Sequence, residues 1–133
     1  MNPENQKKNH KMGHARLIDS FKYASQGVGF AFANEQNFRI HLVVAAVAIA
    51  AGFIFGISLT EWVILAILIG LVLAAELFNT SIEATIDLQT SEIHPLAKKA
   101  KDTASAAVFV LSIVAFVGGI IIFLPKFLNL LWR

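Results

Sequence analysis

The sequence predicts an all-α integral membrane protein that crosses the bilayer three times. Hydrophobic residues make up 56% of its 133 residues and charged residues only 15%, which is too apolar for a soluble domain of this size. The apolar residues gather in three stretches, about 40–58, 62–87 and 104–124. Each is close to or above the roughly 20 residues that a helix needs to cross the hydrocarbon core.

The segment before the first span divides into a tail and a helix. Residues 1–12 are polar and aperiodic, which predicts a flexible cytosolic tail, and residues 13–133 then form a single membrane domain. Within 13–34, apolar and charged residues segregate at helical spacing, which indicates an amphipathic helix in the membrane interface; packing against the protein itself is the alternative. The apolar stripe is Leu17, Phe21, Ala24 and Val28, and the charged residues off it are Arg16, Asp19 and Lys22.

The three spans are bounded by polar residues, aromatic residues and prolines. His41 alone interrupts the first span, near its start, and residues 58–61 form a polar turn before Trp62, whose indole favours the membrane interface. Pro95 can open the helix that leads into the third span, and Pro125 is expected to end or kink it. Residues Lys126, Trp132 and Arg133 then anchor the chain end, and the pair Gly118 and Gly119 permits close helix contact.

The positive charges predict the orientation of the chain in the membrane. Three spans place the termini on opposite sides, and nine of the eleven Lys and Arg residues lie before the first span or in the 88–103 connection. Since positive charges collect on the cytosolic side, the N-terminus and this connection are expected there.

The second span ends in a polar stripe. At about 100° per residue, Glu76, Asn79, Thr80, Glu83 and Asp87 share one side of a helix. Ionisable groups at membrane depth usually mark function, although a stripe of this kind can also serve hydrogen bonding between helices. Carboxylates this close repel one another and are stabilised by a cation, for which a divalent metal is the obvious candidate.

Further charged residues are expected at the same end of the bundle. Glu35 and Arg39 precede the first span, and Lys101 and Asp102 precede the third. Carboxylates with cationic groups, and without paired His or Cys ligands, suit Mg²⁺ and phosphate oxygens rather than zinc. These are also the ingredients of phosphoryl transfer. Glu35 and Arg39 can instead form an i, i+4 ion pair within one helix.

These motifs resemble the prokaryotic diacylglycerol kinase family. The resemblance covers about residues 13–125 and is closest to the undecaprenol kinase branch of that family, through residues 38–41 and 94–98. The diacylglycerol branch typically has an acid where this chain has His41, so the acceptor stays open between undecaprenol and diacylglycerol. The motifs that carry the resemblance are Glu76-x-x-Asn79-x-x-x-Glu83-Ala84-x-x-Asp87, Ala100-Lys101-Asp102 with Ser105-Ala106-Ala107, and Asn34-Glu35-x-x-Phe38-Arg39.

The resemblance implies a homotrimeric lipid kinase with Mg²⁺ as cofactor, ATP as co-substrate and active sites shared between neighbouring protomers. Glu76 would be the general base for the lipid hydroxyl, and Glu35 and Glu83 would hold magnesium. The residues implied around the nucleotide are Arg16, Tyr23, Glu35, Glu83, Glu92, His94, Lys101 and Asp102. Those implied near the acceptor or in support of the site are Glu76, Asn79, Asp87 and Ser105.

The order of the residues along the second span agrees with such a reaction. Glu76 is the deepest carboxylate, where a lipid alcohol can reach it, and Glu83 lies two turns, about 10 Å, nearer the cytosol. Two alternatives of another class are a small oligomeric transporter that uses the acids as a cation site and a non-catalytic membrane subunit. A transporter does not need Glu35 and Lys101 at that end, and a structural subunit would tolerate Glu76→Gln.

Overall fold

The computed structural model describes residues 13–89 and 94–132, with side chains from residue 16 onward. The expected tail 1–12 and the candidate residue Glu92 therefore lie outside the described residues, as does Arg133. The described chain is all-helical, in the order α1 Gly13–Asn34, α2 Gln36–Phe55, α3 Leu59–Gln89 and α4 Pro95–Leu131.

The helices α2, α3 and α4 are each long and apolar enough to cross a membrane, which confirms the prediction of a multi-pass all-α membrane protein. The helix α3 has 31 residues and α4 has 37. At 1.5 Å per residue they are about 46 and 55 Å long, more than the roughly 30 Å of the hydrocarbon core. Both helices therefore extend beyond the apolar layer.

The third apolar stretch, predicted over 104–124, is the middle of the longer helix α4. This helix opens with Pro95 in its first turn and continues through Pro125 to Leu131, so Pro125 does not end it. A proline removes a single backbone donor. Stopping the helix in an apolar environment would leave several backbone groups without partners, which is the less favourable outcome.

A tight connection joins α2 to α3. Gly56 has φ of 59° and donates its N–H to the carbonyls that end α2, which is a left-handed helix cap. The turn then starts α3 with a reciprocal cap: the Ser58 N–H donates to Glu61 Oε2 at 2.6 Å, and the Glu61 N–H donates to Ser58 Oγ at 3.3 Å. The polar residues at 58–61 thus form the first turn of α3 as well as the loop before it.

The helix α3 packs mainly against α4, in antiparallel orientation. Near the start of α3, Glu61 Oε1 lies 3.1 Å from Lys126 Nζ on α4, and near its end Asp87 pairs with Lys101. Between these two ion pairs, the α-carbon of Gly118 faces the side chain of Leu68, where a Cβ atom would come within 2.5 Å. Gly118 therefore permits the close contact of the two helices that the sequence predicts for this pair of glycines.

A small apolar core lies where the α2–α3 turn meets α4. Ile57, Leu65 and Ile122 form it, with the ring of Trp62 packed against it. Most other large apolar side chains of the described residues are exposed. Such a surface is suited to contact with lipid or with other protein chains.

Gly52→Ala is expected to destabilise this core. A Cβ atom at Gly52 would lie 2.7 Å from Trp62 Cη2 and 2.9 Å from Trp62 Cζ2, so the indole ring has to move. Overpacking of this kind lowers the free energy of unfolding by about 1–3 kcal/mol. Thermal unfolding in detergent measures this loss of stability. Gly119→Ala is the matched control, since its Cβ atom meets nothing within 4 Å. Equal unfolding temperatures for the two variants would contradict the packing argument.

Candidate active site

Glu76 lies on the face of α3 that packs toward α2 and is almost completely buried, with 2% of its surface exposed. Its backbone carbonyl accepts a hydrogen bond from Thr80 Oγ1 at 3.0 Å, one turn further along the helix. This bond uses the backbone and leaves the carboxylate free. A buried carboxylate requires a compensating partner, because its desolvation is unfavourable.

His41 on α2 is the side chain that meets this carboxylate. Its Nε2 atom lies 3.1 Å from Glu76 Oε1, close enough for an ion pair when the imidazole is protonated. The contact lacks hydrogen-bond geometry, and Oε1 has no hydrogen-bond partner among the described residues. The geometry thus brings the two groups together and leaves acceptor capacity on the carboxylate.

Two further carboxylates act on Glu76 through their charge. These are Glu35 and Glu83, and both repel the Glu76 anion. Glu35 is the single non-helical residue between α1 and α2, and its N–H donates to Ala31 O at 2.8 Å. Glu83 is held by Asn79, whose Nδ2 donates to Glu83 Oε1 at 3.0 Å. Residues from separate parts of the chain therefore place their negative charges around one point.

The donor set fits magnesium that is shared with a nucleotide. In the described ranges, no three His, Asp or Glu side chains converge tightly enough to form a complete metal site. Mg²⁺ commonly takes only one or two carboxylates and fills its remaining positions with water and phosphate oxygens. Glu35 and Glu83 could supply such carboxylates.

Arg39 joins α1 to α2. Its Nη1 atom donates to the carbonyls of Phe32 and Ala33, each at 3.0 Å, and so satisfies carbonyls at the end of α1. The alternative of an ion pair with Glu35 is not realised, because the guanidinium binds these carbonyls instead. Arg39 thereby fixes the joint in which Glu35 lies.

A second group of charges lies where α3 ends and α4 begins. Lys101 bonds to Asp87 across the two helices, and Lys98 bonds to Asp102 within α4. Lys98 therefore has a protein partner in Asp102. His94 caps α4, with Nδ1 accepting from the Leu96 N–H at 3.2 Å. These groups are largely exposed, so the pairs add little stability and stay accessible to a ligand.

The remaining predicted residues lie at separate positions in this single chain. Arg16 and Tyr23 are exposed on α1, and Ser105 is exposed on α4. Their assignment to nucleotide or acceptor stays a prediction. The structure thus brings together the predicted residues around Glu76 and leaves Arg16, Tyr23 and Ser105 apart from them.

An apolar groove of about 270 Å³ runs between α3 and α4. Asn79, which also supports Glu83, is the polar residue in its lining. Asn79 therefore connects the groove to Glu83, and the apolar lining is suited to hydrocarbon along its length. Its lining consists of Leu71, Ala74, Ala75, Phe78, Asn79, Ile82, Ala104, Ala107 and Leu111.

Sequence reasoning treated His41 as an interruption of the first span and missed its contact with Glu76. The spacing could have indicated it, because His41 lies three residues after Phe38 and four before Ala45 and so shares a helix face with them. Both neighbours are buried, so His41 shares the helical face of α2 that packs inward.

A buried carboxylate on a membrane-spanning helix, with further acids nearby, suits a lipid kinase, an enzyme that phosphorylates an alcohol held in the bilayer. The family model described as prokaryotic diacylglycerol kinase matches residues 22–123, and the chain belongs to that family. The enzyme class that the sequence predicts is thereby confirmed.

Individual relatives agree with this membership. A protein of Bacillus subtilis named undecaprenol kinase is 41% identical over 119 residues, which cover 90% of this chain and 97% of that protein. A diacylglycerol kinase of Haemophilus influenzae is 39% identical, covering 84% of this chain and 95% of its own. The diacylglycerol kinase of Escherichia coli K12 is 34% identical, over 82% of this chain and 89% of its own.

Proposed function

We propose that this protein transfers the γ-phosphoryl group of ATP to the hydroxyl group of undecaprenol, giving undecaprenyl phosphate for cell-envelope synthesis. The observation that carries the choice of acceptor is the 41% identity, over nearly the whole of both chains, to the protein named undecaprenol kinase. Diacylglycerol is the second candidate acceptor, because other relatives are named diacylglycerol kinase.

Glu76 is the general base in this reaction. Its carboxylate takes the proton from the lipid hydroxyl as that oxygen attacks the γ-phosphorus atom; the new oxygen–phosphorus bond forms as the bond to ADP breaks. Burial at 2% exposure and a position on a membrane-spanning helix support this role. The base is thus available to an alcohol that approaches from the bilayer.

Glu35 and Glu83 hold Mg²⁺ in the proposed site. Magnesium held there would offset the charge of the ATP phosphates during transfer. The charge that both residues place at Glu76 supports this assignment, as does the bond from Asn79 that orients Glu83. Asn79 and Asp87 then act as support for the residues that touch the ligands.

The nucleotide lies on the cytosolic side, between α1 and the start of α4. Arg16, Tyr23, Glu92, His94, Lys101 and Asp102 are the residues proposed to surround it. The excess of Lys and Arg before α2 and in the 88–103 connection supports a cytosolic site in the cell membrane. We place α1 along the membrane surface.

The protein acts as a homotrimer. One chain leaves most of its large apolar side chains exposed and contains no complete metal site within its described residues. A thin bundle of this kind cannot exclude water from the reaction by itself. Neighbouring protomers that share each active site would supply the missing walls and ligands.

The acceptor's hydrocarbon chain lies in the groove between α3 and α4. The apolar lining of the groove suits an isoprenoid or an acyl chain, and Asn79 at its edge connects it to the acidic group. Ser105 on α4 lies next to the lining residue Ala104 and is proposed to face the lipid head group. The lipid hydroxyl would then lie near Glu76.

A side-by-side transfer assay tests the proposal. Purified protein in lipid vesicles is given Mg²⁺ and γ-labelled ATP with undecaprenol, with diacylglycerol or with neither acceptor, and label in extractable lipid is counted. We expect a higher kcat/KM with undecaprenol. A higher value with diacylglycerol would move the acceptor to the second candidate. Absence of labelled lipid with both acceptors would exclude the kinase activity and leave the transporter and the non-catalytic subunit.

A further inference from the structure

We propose that His41 is a positioning residue for the reaction, whose imidazole group holds the Glu76 carboxylate in its working orientation. The proposal rests on the proposed role of Glu76 as the base. It gives His41, which the family resemblance connects only with the choice of acceptor, a part in the reaction, and it makes α2 part of the site.

The distances single out His41 as the partner of Glu76. His41 Nε2 lies 3.1 Å from Glu76 Oε1, and the two side chains are 23% and 3% exposed. The other cations near this end are engaged elsewhere: Arg39 binds the α1 carbonyls and Lys101 binds Asp87. Among the described residues, His41 is the basic side chain in contact with Glu76. The imidazole therefore lies between the buried carboxylate and a more exposed region of the protein.

Few other groups are placed to fix this carboxylate. Thr80 bonds to the backbone carbonyl of Glu76, and Glu76 Oε1 has no hydrogen-bond partner among the described residues. Glu83, two turns further along α3, is itself held by Asn79. His41 on α2 is therefore the side chain that limits how the Glu76 carboxylate can turn.

The loss of His41 then affects turnover through the orientation of the base. Without the contact at Oε1, the Glu76 carboxylate loses a restraint and points less often toward the lipid hydroxyl. This lowers kcat and leaves ATP binding, which depends on other residues, unchanged. A merely structural role would change kcat and KM together and would not respond to added imidazole.

The test measures lipid phosphorylation by His41→Gln, which keeps a neutral donor, and by His41→Ala, which leaves space for added imidazole. We expect kcat to fall about 10–100-fold, as for loss of a residue that orients a ligating or reacting group, with the KM for ATP unchanged. Added imidazole restores part of the activity of His41→Ala.

His10→Gln is the matched control, because His10 precedes α1 and the matched region 22–123. It is expected to leave kcat and the KM for ATP unchanged. Thermal unfolding and size-exclusion profiles separate misfolding from a catalytic defect. Wild-type kcat in a folded His41→Gln protein, or no rescue of a folded His41→Ala protein by imidazole, would overturn the role of His41. Inactivity of the wild type would instead overturn the proposed function.

Discussion

Glu76→Gln is expected to lower kcat for lipid phosphorylation by about 10²–10⁴-fold, the usual contribution of a general base. Glutamine has nearly the shape of glutamate but cannot take a proton from the lipid hydroxyl. Because the amide side chain would still fit the space beside His41, and the backbone bond from Thr80 would remain, the fold should be preserved. Transfer from γ-labelled ATP, measured beside thermal unfolding, checks both expectations.

Glu61→Gln is the control for this variant. Glu61 lies on the same helix, about 22 Å away at 1.5 Å per residue, and pairs with Lys126 at the other end of the bundle. Glutamine also serves at this position of a capping box, so α3 should start as before. Activity close to the wild type is expected. Retained turnover in a folded Glu76→Gln protein would exclude Glu76 as the base.

Glu83→Gln is expected to raise the Mg²⁺ concentration for half-maximal activity about 10-fold or more. The amide removes one negative ligand, and loss even of a residue that only supports a metal ligand typically weakens binding or activity about 10–100-fold. Saturating Mg²⁺ should restore part of kcat, which sets this variant apart from Glu76→Gln. The measurement is initial rate against free Mg²⁺ at fixed ATP.

Asn79→Leu provides a graded companion to this experiment. It removes the 3.0 Å bond to Glu83 Oε1 and keeps the carboxylate, so a smaller rise in the Mg²⁺ requirement is expected. Glu61→Gln again serves as the control, with an unchanged titration. If Glu83→Gln titrates with Mg²⁺ like the wild type, Glu83 is not a magnesium ligand.

The apolar stretches determine most of the fold and can be identified from the sequence alone. Long apolar runs must be helical in lipid, so the number of spans follows from their length. The ends of the helices are harder to predict from the sequence. Pro125 reads as a helix end in water, yet α4 continues to Leu131, because backbone hydrogen bonds are harder to replace in an apolar environment.

The site was predictable where its residues lie on one helix and less so where they come from several. The stripe from Glu76 to Asp87 follows directly from helical periodicity. The pairing of His41 with Glu76, and of Arg39 with α1 carbonyls, depends on how α1, α2 and α3 pack, which spacing along one helix does not specify. Arg39 is an example: Glu35, the acid nearest to it in the sequence, is not its partner in the fold.

The two ion pairs between α3 and α4 lie at opposite ends of these helices, Glu61 with Lys126 and Asp87 with Lys101. Sliding one helix along the other would separate both pairs and the contact of Gly118 with Leu68 at once, so packing and charge favour the same relative height of the two helices. A bilayer that thickens or thins is then more readily met by tilting the two helices as a unit than by shear between them. The depth of the acids below the membrane surface would change with that tilt.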